Sequence, residues 1–235
     1  QLGKWEAERF MKDSAFFTKI VPTGPKNFVI RAMQASSRQY VLGTIKDSPP
    51  FLNLTQLLKK QVDGVFDVDG NLLYNRELDK VVYVYYYRNQ FLVTDPDLNL
   101  LYEGKTIDTF SQVQINPVHV SSGKTQMLAA PPKMVNGNST AKGNMLLVNS
   151  KIMGRNDDEN LYRSSSVIDV YGIHQGAYLF SFYLPGYKGM SARDFRIVGN
   201  KLIAQYERHI VAYTLNEIHF PKRELENIHP EESGT

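Results

Sequence analysis

Short apolar or alternating segments, separated by polar turns, follow one another along most of the chain. Val81–Tyr87 (VVYVYYY) is the strongest, and its β-branched and aromatic residues without polar alternation indicate a strand buried on both faces. Turn signals such as Asp63-Gly64, Asp69-Gly70 and Gly199-Asn200 recur between the segments. The pattern predicts strands over Ala15–Val21, Asn27–Gln34, Gln39–Ile45, Val81–Tyr87, Gln90–Thr94, Leu98–Glu103, Met145–Asn149, Val167–Tyr171, Tyr178–Leu184, Phe195–Val198, Leu202–Tyr206 and Ile210–Leu215.

Helical patterns are few. Asn53–Lys60 (NLTQLLKK) carries leucines at i, i+3 and i+4 spacing behind an Asn that can cap a helix, so it predicts one short helix between strands. A helical turn is also compatible with Glu6–Lys12 and with the acidic tail that follows Pro221. These elements are too short to form a helical layer, and the prediction is an all-β fold.

Four segments of the chain share one plan, in which an apolar strand leads through a turn to a second strand rich in Tyr or Val. Their anchor residues Phe28, Val81, Met145 and Leu202 lie 53, 64 and 57 residues apart. This degenerate period exceeds the ~40–50 residues of a four-stranded propeller blade, and loop insertions such as Lys151–Arg163 account for the excess. The pattern therefore favours a β-propeller with about four blades, and a two-sheet sandwich is the alternative.

Composition removes several classes of function. The chain has no Cys, which excludes disulfides, thiolate zinc sites and cysteine nucleophiles. Its net charge is +3 without a block of basic residues, so nucleic acid is not an expected partner. No apolar run approaches the ~18–20 residues of a membrane span, so no transmembrane segment is predicted.

The later segments carry a resemblance to a known group of proteins. They resemble the closing blades of bacterial six-bladed β-propeller proteins of the TolB-like or NHL-like kind, and an earlier blade is similar as well. The closing blades correspond to Gly143–Ser150, Val167–Gly172, Tyr178–Gly186 and Asp194–Leu215, and the earlier blade to Arg88–Asp95 with Gly104–Thr109. These motifs mark blade strands and do not mark a catalytic centre.

The resemblance implies a single propeller domain over residues 1–235, with 1–14 and 221–235 peripheral. Because about four blades are visible where six are expected, it also implies that the chain is the C-terminal portion of a longer propeller, or that a partner chain covers an open edge. Many such proteins are exported, often as lipoproteins. We therefore expect a periplasmic or cell-surface location, with the lipid anchor on a missing N-terminus, and the cytoplasm stays an alternative.

Tyrosines beside an arginine form the most suggestive binding surface in the sequence. Tyr85, Tyr87 and Arg88 offer flat apolar faces with polar tips, which suit protein or carbohydrate partners. His209, in a predicted hairpin turn, is a second candidate as a pH-sensitive group at the mouth of the channel. The alternative is that the rings pack between blades, with Arg88 at the strand end directed to solvent or to the central channel.

One oxygen-rich turn is a candidate metal site. Asp95, Asp97 and Asn99 place oxygen ligands at alternate positions, and a calcium ion prefers six to eight oxygens. The match to an EF-hand loop is poor because Leu100 stands at the position of the turn glycine. A simple β-turn explains the same residues, so calcium is an open possibility and no other cofactor is predicted.

The sequence favours a non-enzymatic binding or interaction scaffold, whose ligand it does not identify. Nucleophile, phosphate-loop and zinc motifs are absent from it, although this leaves enzymatic activity uncertain. The alternative is a metal-dependent hydrolase or lyase with a site in the central channel, where Asp108, Asp169 and Asp194 would converge. A mainly structural domain in a larger chain is a third possibility.

Overall fold

The structure, a computed structural model, describes residues 15–47, 50–115, 117–119, 126–128 and 132–226. Strands dominate these residues and form four antiparallel sheets and one small hairpin. Sheet 1 contains β1 (Phe17–Gly24), β2 (Asn27–Gln34), β3 (Gln39–Asp47) and β4 (Pro50–Thr55). Sheet 2 contains β5 (Gly70–Asn75), β6 (Lys80–Tyr85), β7 (Gln90–Thr94) and β8 (Leu100–Lys105).

The second half of the chain repeats the arrangement after a hairpin of β9 (Pro117–His119) and β10 (Gln126–Leu128). Sheet 3 contains β11 (Asn136–Lys142), β12 (Met145–Ser150), β13 (Ser165–Gly172) and β14 (Tyr178–Pro185). Sheet 4 contains β15 (Asp194–Val198), β16 (Lys201–Tyr206) and β17 (His209–Thr214). The described residues also form two short helices, α1 (Glu159–Ser164) before β13 and α2 (Lys222–Glu226) after sheet 4.

The four sheets radiate from their first strands. Each sheet is a meander in which consecutive strands pair. The first strands are also neighbours, because β1 packs against β5, β5 against β11, and β11 against β15. Tandem meanders arranged in this way, with the first strand innermost, define a β-propeller. The alternative of a sandwich with two layers does not fit, because sheets 2 and 3 each pack against a neighbouring sheet on both faces.

Alternating side chains of the middle strands build the core between neighbouring sheets. On β6, Val81, Tyr83 and Tyr85 pack toward sheet 1, whereas Val82 and Val84 pack toward sheet 3. The sequence prediction that this strand is buried on both faces is confirmed. Sheet 3 meets sheet 4 through a third apolar cluster, in which residues of β12 and β13 contact residues of β15 and β16. Each sheet therefore depends on its neighbours for burial of apolar surface.

The predicted strands are confirmed, with shifts of a few residues at most at their ends. The second and third strands of each sheet coincide with the four repeated units found in the sequence. The helix predicted over Asn53–Lys60 is wrong, because β4 takes the first part of that segment and pairs with β3, Thr55 opposite Leu42. Strand pairing forms the backbone hydrogen bonds of this segment and lets Leu52 and Leu54 pack against the apolar residues of β2 and β3. These tertiary contacts outweigh the helical preference that the leucine spacing indicates.

The helical turn predicted after Pro221 is confirmed as α2. The turn predicted over Glu6–Lys12 lies outside the described residues, and the domain boundaries stay a prediction. Strands β4, β5, β9, β10 and β11 are not among the predicted ones. Within the described part of the chain, no helix is both long and apolar enough to span a membrane.

Candidate functional site

A polar pocket of about 670 Å³ opens between the end of sheet 2 and the outer strands of sheet 3. Its walls come from the segment after β8, from the loop between β12 and α1, and from β13 and β14. No lining residue belongs to an inner strand, so the pocket lies away from the propeller axis. The lining includes Asp108, Ser150, Arg155, Asp157, Asp169, Tyr178, Ser181, Phe182 and Tyr183.

Asp169 forms the floor of the pocket. It lies in the middle of β13 on the face turned to sheet 2, and only 2% of its surface is exposed. The Ser181 hydroxyl on β14 donates to its Oδ1 at 2.5 Å, and the Tyr171 hydroxyl donates to Oδ2 at 3.4 Å. Burial raises the pKa of this carboxyl above its ordinary value despite both donors.

Asp108 is the second carboxyl of the pocket and the less satisfied one. It follows β8, and its backbone carbonyl accepts a hydrogen bond from the Asn89 side chain, which fixes the segment. Its Oδ2 is buried without a hydrogen-bond partner among the described residues. Burial, with a further contribution from Asp169, raises the pKa of Asp108 to about 6, while the Ser150 hydroxyl acts in the opposite direction.

The rim of the pocket is an ordered loop. Asp157 accepts a hydrogen bond from the Gly154 backbone at 2.6 Å and another from the Tyr183 hydroxyl at 2.7 Å. The Tyr178 hydroxyl lies 2.9 Å from that of Ser181, and the Tyr178 ring lies against Tyr171 with centroids 5.9 Å apart. The pocket thus combines preformed aromatic walls with hydrogen-bond acceptors at its floor.

This geometry suits a ligand that donates hydrogen bonds. A buried carboxylate oxygen without a donor is costly, and a ligand hydroxyl or ammonium group relieves that cost. The tyrosine and phenylalanine rings offer flat apolar surface beside the acceptors. The volume lies within the range of about 300–1,000 Å³ typical of small-molecule sites.

A separate polar network lies near the propeller axis. The Lys19 ammonium donates to the Tyr86 hydroxyl at 3.2 Å, and Tyr86 donates to Asn71 Oδ1 at 2.9 Å. Asp69 lies 3.4 Å from Arg31 and 3.9 Å from Lys19. Burial lowers the pKa of Lys19 and raises that of Tyr86 to about 12. These residues join sheets 1 and 2.

Two of the predicted binding residues are buried. Tyr85 belongs to the apolar cluster between sheets 1 and 2, and Arg88 is 1% exposed. The Arg88 guanidinium stacks 3.7 Å from the Tyr85 ring centre and donates to the Lys59 carbonyl at 2.9 Å. The prediction that Arg88 reaches solvent or the channel is therefore wrong, because stacking and a backbone acceptor hold it inside. Tyr87 is half-buried beside the Tyr86 ring, beyond the end of β6.

His209 lies elsewhere, at the start of β17. Its Nε2 is 3.4 Å from the Lys188 ammonium, and its ring lies against Tyr187 with centroids 5.3 Å apart. Because His209 belongs to sheet 4 while Tyr85, Tyr87 and Arg88 belong to the sheet 2 region, the structure does not bring the four residues into one site. Their role in binding stays a prediction.

The candidate calcium ligands form a tight turn between β7 and β8. Both Asp95 oxygens accept hydrogen bonds inside the turn, from the backbone of Asp97 and from Asn99. Asp97 pairs with Lys46 of sheet 1 at 2.5 Å. Among the described residues, no group of three or more His, Asp or Glu side chains could hold a metal ion. Calcium binding by this turn stays a prediction.

Of the three carboxyls expected to converge in the channel, Asp108 and Asp169 meet in the side pocket. Asp194 does not join them, because it begins the inner strand β15 and lines a different cavity. The convergence of all three in the channel is therefore wrong. Sequence reasoning missed Ser181, because its place in the pocket depends on the register of β13 with β14.

Neither protein-family models nor curated proteins match this chain. Solved structures show a similar fold at low identity. A member of the DUF4221 family from Bacteroides vulgatus aligns with 83% of this chain and 61% of its own, at 10% identity and a TM-score of 0.46. A provisionally described exported protein from Bacteroides fragilis aligns with 87% of this chain and 50% of its own, at 15% identity and a TM-score of 0.45.

A structure described as the Dos1 propeller aligns with 81% of this chain and 50% of its own, at 10% identity and a TM-score of 0.41. This chain therefore spans between 50% and 61% of the length of these three structures. The likeness concerns the fold alone.

Proposed function

We propose that the chain is a non-enzymatic binding scaffold that holds a carbohydrate-sized ligand in the pocket between sheets 2 and 3. The observation that carries the proposal is the buried Asp108 Oδ2, which has no donor among the described residues and lies at a pocket beside Asp169. Sugar hydroxyls donate to carboxylates while their C–H faces stack on aromatic rings, here Tyr178 and Tyr183. An amino sugar would add charge attraction to the same contacts.

Equilibrium titration with a panel of neutral and amino sugars tests this proposal. We expect at least one sugar to bind, and Asp108→Asn to weaken its affinity by about tenfold through loss of a charge-assisted hydrogen bond. Asp97→Asn, in the exposed turn between β7 and β8, is the matched control and should leave the affinity unchanged. Equal binding by the Asp108 variant, or no binding in the whole panel, contradicts the proposal.

A hydrolase or lyase is the second candidate function, and one observation favours it. A carboxyl whose pKa is raised to about 6 beside a second carboxyl is a common arrangement for a general acid. On this candidate, Asp108 and Asp169 would carry the chemistry in the side pocket. Assay of chromogenic glycosides, with elemental analysis of the purified protein for divalent metals, separates this candidate from simple binding.

We also propose that the chain forms part of a six-bladed, TolB-like propeller that is exported to the periplasm or cell surface, with or without a lipid anchor. The resemblance of its later strands to closing blades supports this proposal. Fractionation of cells that express the full gene tests the location. Recovery of the protein only in the cytoplasm contradicts it.

A further inference from the structure

Sheet 4 differs from its neighbours in strand number. Sheets 1, 2 and 3 each contain four strands, whereas sheet 4 contains three in the described part of the chain. The third strand, β17, pairs with β16, and no other strand of the described residues pairs with it on its other side. No strand among residues 15–47, 50–115, 117–119, 126–128 and 132–226 takes beside β17 the position that β4, β8 and β14 take in the other sheets.

The register shows which backbone groups face outward. The Leu215 N–H donates to the Asn200 carbonyl, so residue 215 and every second residue before it direct their backbone groups toward β16. Ile210, Ala212 and Thr214 therefore direct N–H and C=O groups away from the sheet. An exposed row of this kind is a template for one more strand.

An apolar groove lies beside this edge. It has a volume of about 330 Å³ and runs between β17 and the outer strand of sheet 3. Phe180 and Phe182 of β14 form one wall, with Phe220 stacked edge-on against both at centroid distances of 5.3 and 5.8 Å. Tyr213 of β17 forms part of the other wall. A strand added to β17 would place every second side chain in the groove.

Basic side chains lie at the end of sheet 4 where β17 begins. Lys188, Arg208 and His209 cluster where β17 begins. The Glu207 carboxylate of the same turn pairs with Arg193 at 3.6 Å, and the described ion pairs include no carboxylate partner for Lys188 or Arg208. An antiparallel partner would bring its C-terminal end to this cluster, where acidic side chains would be favoured.

We propose that the edge of β17 binds an extended peptide segment of another protein as an antiparallel fourth strand of sheet 4. The segment carries apolar side chains at alternate positions and acidic residues at its C-terminal end. Backbone hydrogen bonds to Ile210, Ala212 and Thr214 supply affinity, while the groove and the basic cluster supply selectivity. This surface is separate from the pocket that contains Asp108.

Fluorescence anisotropy with a labelled peptide tests the proposal. The probe is an eight-residue peptide that alternates Thr and Val and ends in two glutamates. We expect saturable binding, weakened about tenfold when Ser replaces each Val and again when Lys replaces both glutamates. Absence of saturation, or equal binding of the peptides, overturns the proposal.

Ala212→Pro removes one outward N–H, whereas Ala212→Ser keeps it and is the matched control. The proline variant should weaken binding of the probe about tenfold, and the serine variant should bind as the original chain does. N-methylation of alternate peptide amides is a second test that leaves the protein unchanged. Only one of the two alternating sets, the one that faces β17, should abolish binding.

Two further results would overturn the proposal. One is equal loss of binding with both methylated sets. The other is a concentration-dependent dimer in sedimentation that Ala212→Pro dissolves, since a second copy of the chain would then occupy the edge. Because the sugar pocket is remote from β17, Ala212→Pro should leave sugar affinity unchanged, and failure of either proposal is recognised independently of the other.

Discussion

At the scale of single residues, Asp108 and Asp169 place two carboxyls in an environment that disfavours their charge. Asp169 has hydroxyl donors at both oxygens, whereas one oxygen of Asp108 has none in the described structure. Such a group lowers the stability of the folded protein unless something else interacts with it. The arrangement is therefore more easily explained by a ligand than by folding.

The pKa of Asp108 predicts how stability changes with pH. The unfolded chain ionises this group near the ordinary value of 3.8, while the folded chain holds the proton until about pH 6. As pH rises through this window, ionisation favours the unfolded state, and the resulting loss of stability is complete above pH 6. Below pH 3.8 the effect vanishes, because both states are protonated.

Asp108→Asn removes this cost. We expect the variant to be more stable than the original chain by on the order of 1 kcal/mol at pH 8, after allowance for partial solvent exposure, and equally stable at pH 3. Urea unfolding at the two pH values measures the difference. An equal gain in the free energy of unfolding at pH 8 and pH 3 would show that the substitution acts through packing and not through charge.

The sequence identifies Asp108 and Asp169 as candidate site residues, but it does not predict that they meet in the side pocket. Asp169 lies within a predicted strand and Asp108 follows another one, so the sequence indicates that both belong to the folded domain. Their meeting depends on how the segment after β8 lies across sheet 3, which no local pattern encodes. Arg88 was misjudged for a related reason, since the Lys59 carbonyl that holds it lies 29 residues earlier in the chain.

At the scale of elements, most apolar strands were predictable, including the inner strands β1 and β15, whereas the inner strands β5 and β11 were not. The outer and middle strands bury alternating aliphatic and aromatic residues, and that period is visible in the sequence. The inner strand β11 (NGNSTAK) carries small polar residues, because its neighbours are other inner strands. Asn71 of β5 donates to the Gly137 carbonyl of β11 at 2.6 Å, a contact that leaves no apolar signal.

Two hairpins with the same turn sequence separate the cost of backbone strain at a glycine from the cost of disturbing its packing. Gly143 and Gly199 each precede an Asn in a two-residue hairpin, with φ of +52° and +58°. A Cβ on Gly143 would lie 1.9 Å from the Glu224 carbonyl oxygen of α2, whereas a Cβ on Gly199 meets nothing within 4 Å. The first glycine is therefore required by backbone conformation and by the docking of α2.

We expect Gly199→Ala to cost about 1 kcal/mol, the strain of a left-handed Ala. Gly143→Ala should cost about 3 kcal/mol, because α2 must also move and lose its hydrogen bonds to Asn144. Denaturant unfolding of both variants measures the two costs. Equal costs would show that α2 contributes little to stability.

At the scale of the whole molecule, each sheet packs mainly on its neighbours. Sheets 2 and 3 have a neighbour on both faces, while sheets 1 and 4 have one each in the described part of the chain. On sheet 4 the outward face leaves Val198 64% and Ile210 76% exposed. Stability should therefore fall from the middle of the array toward its ends.

Hydrogen exchange followed by mass spectrometry measures this gradient. We expect the amides of β6, β7, β12 and β13 to exchange about a hundredfold more slowly than those of β2 and β16, because the middle sheets open only after an end sheet has separated. Uniform protection across the four sheets would instead indicate a single cooperative unit.

Side-chain amides of the inner strand β11 donate hydrogen bonds to neighbouring sheets, and these bonds tolerate substitution of the accepting residues but not deletion within the strand. Asn136 and Asn138 donate to backbone carbonyls across the junctions between sheets, so a carbonyl of any residue type can serve as the acceptor. Replacement of the accepting residue leaves its carbonyl in place, whereas deletion of one residue from β11 would displace every donor from its acceptor. Divergence of this protein should therefore preserve the length of its inner strands more strictly than their composition.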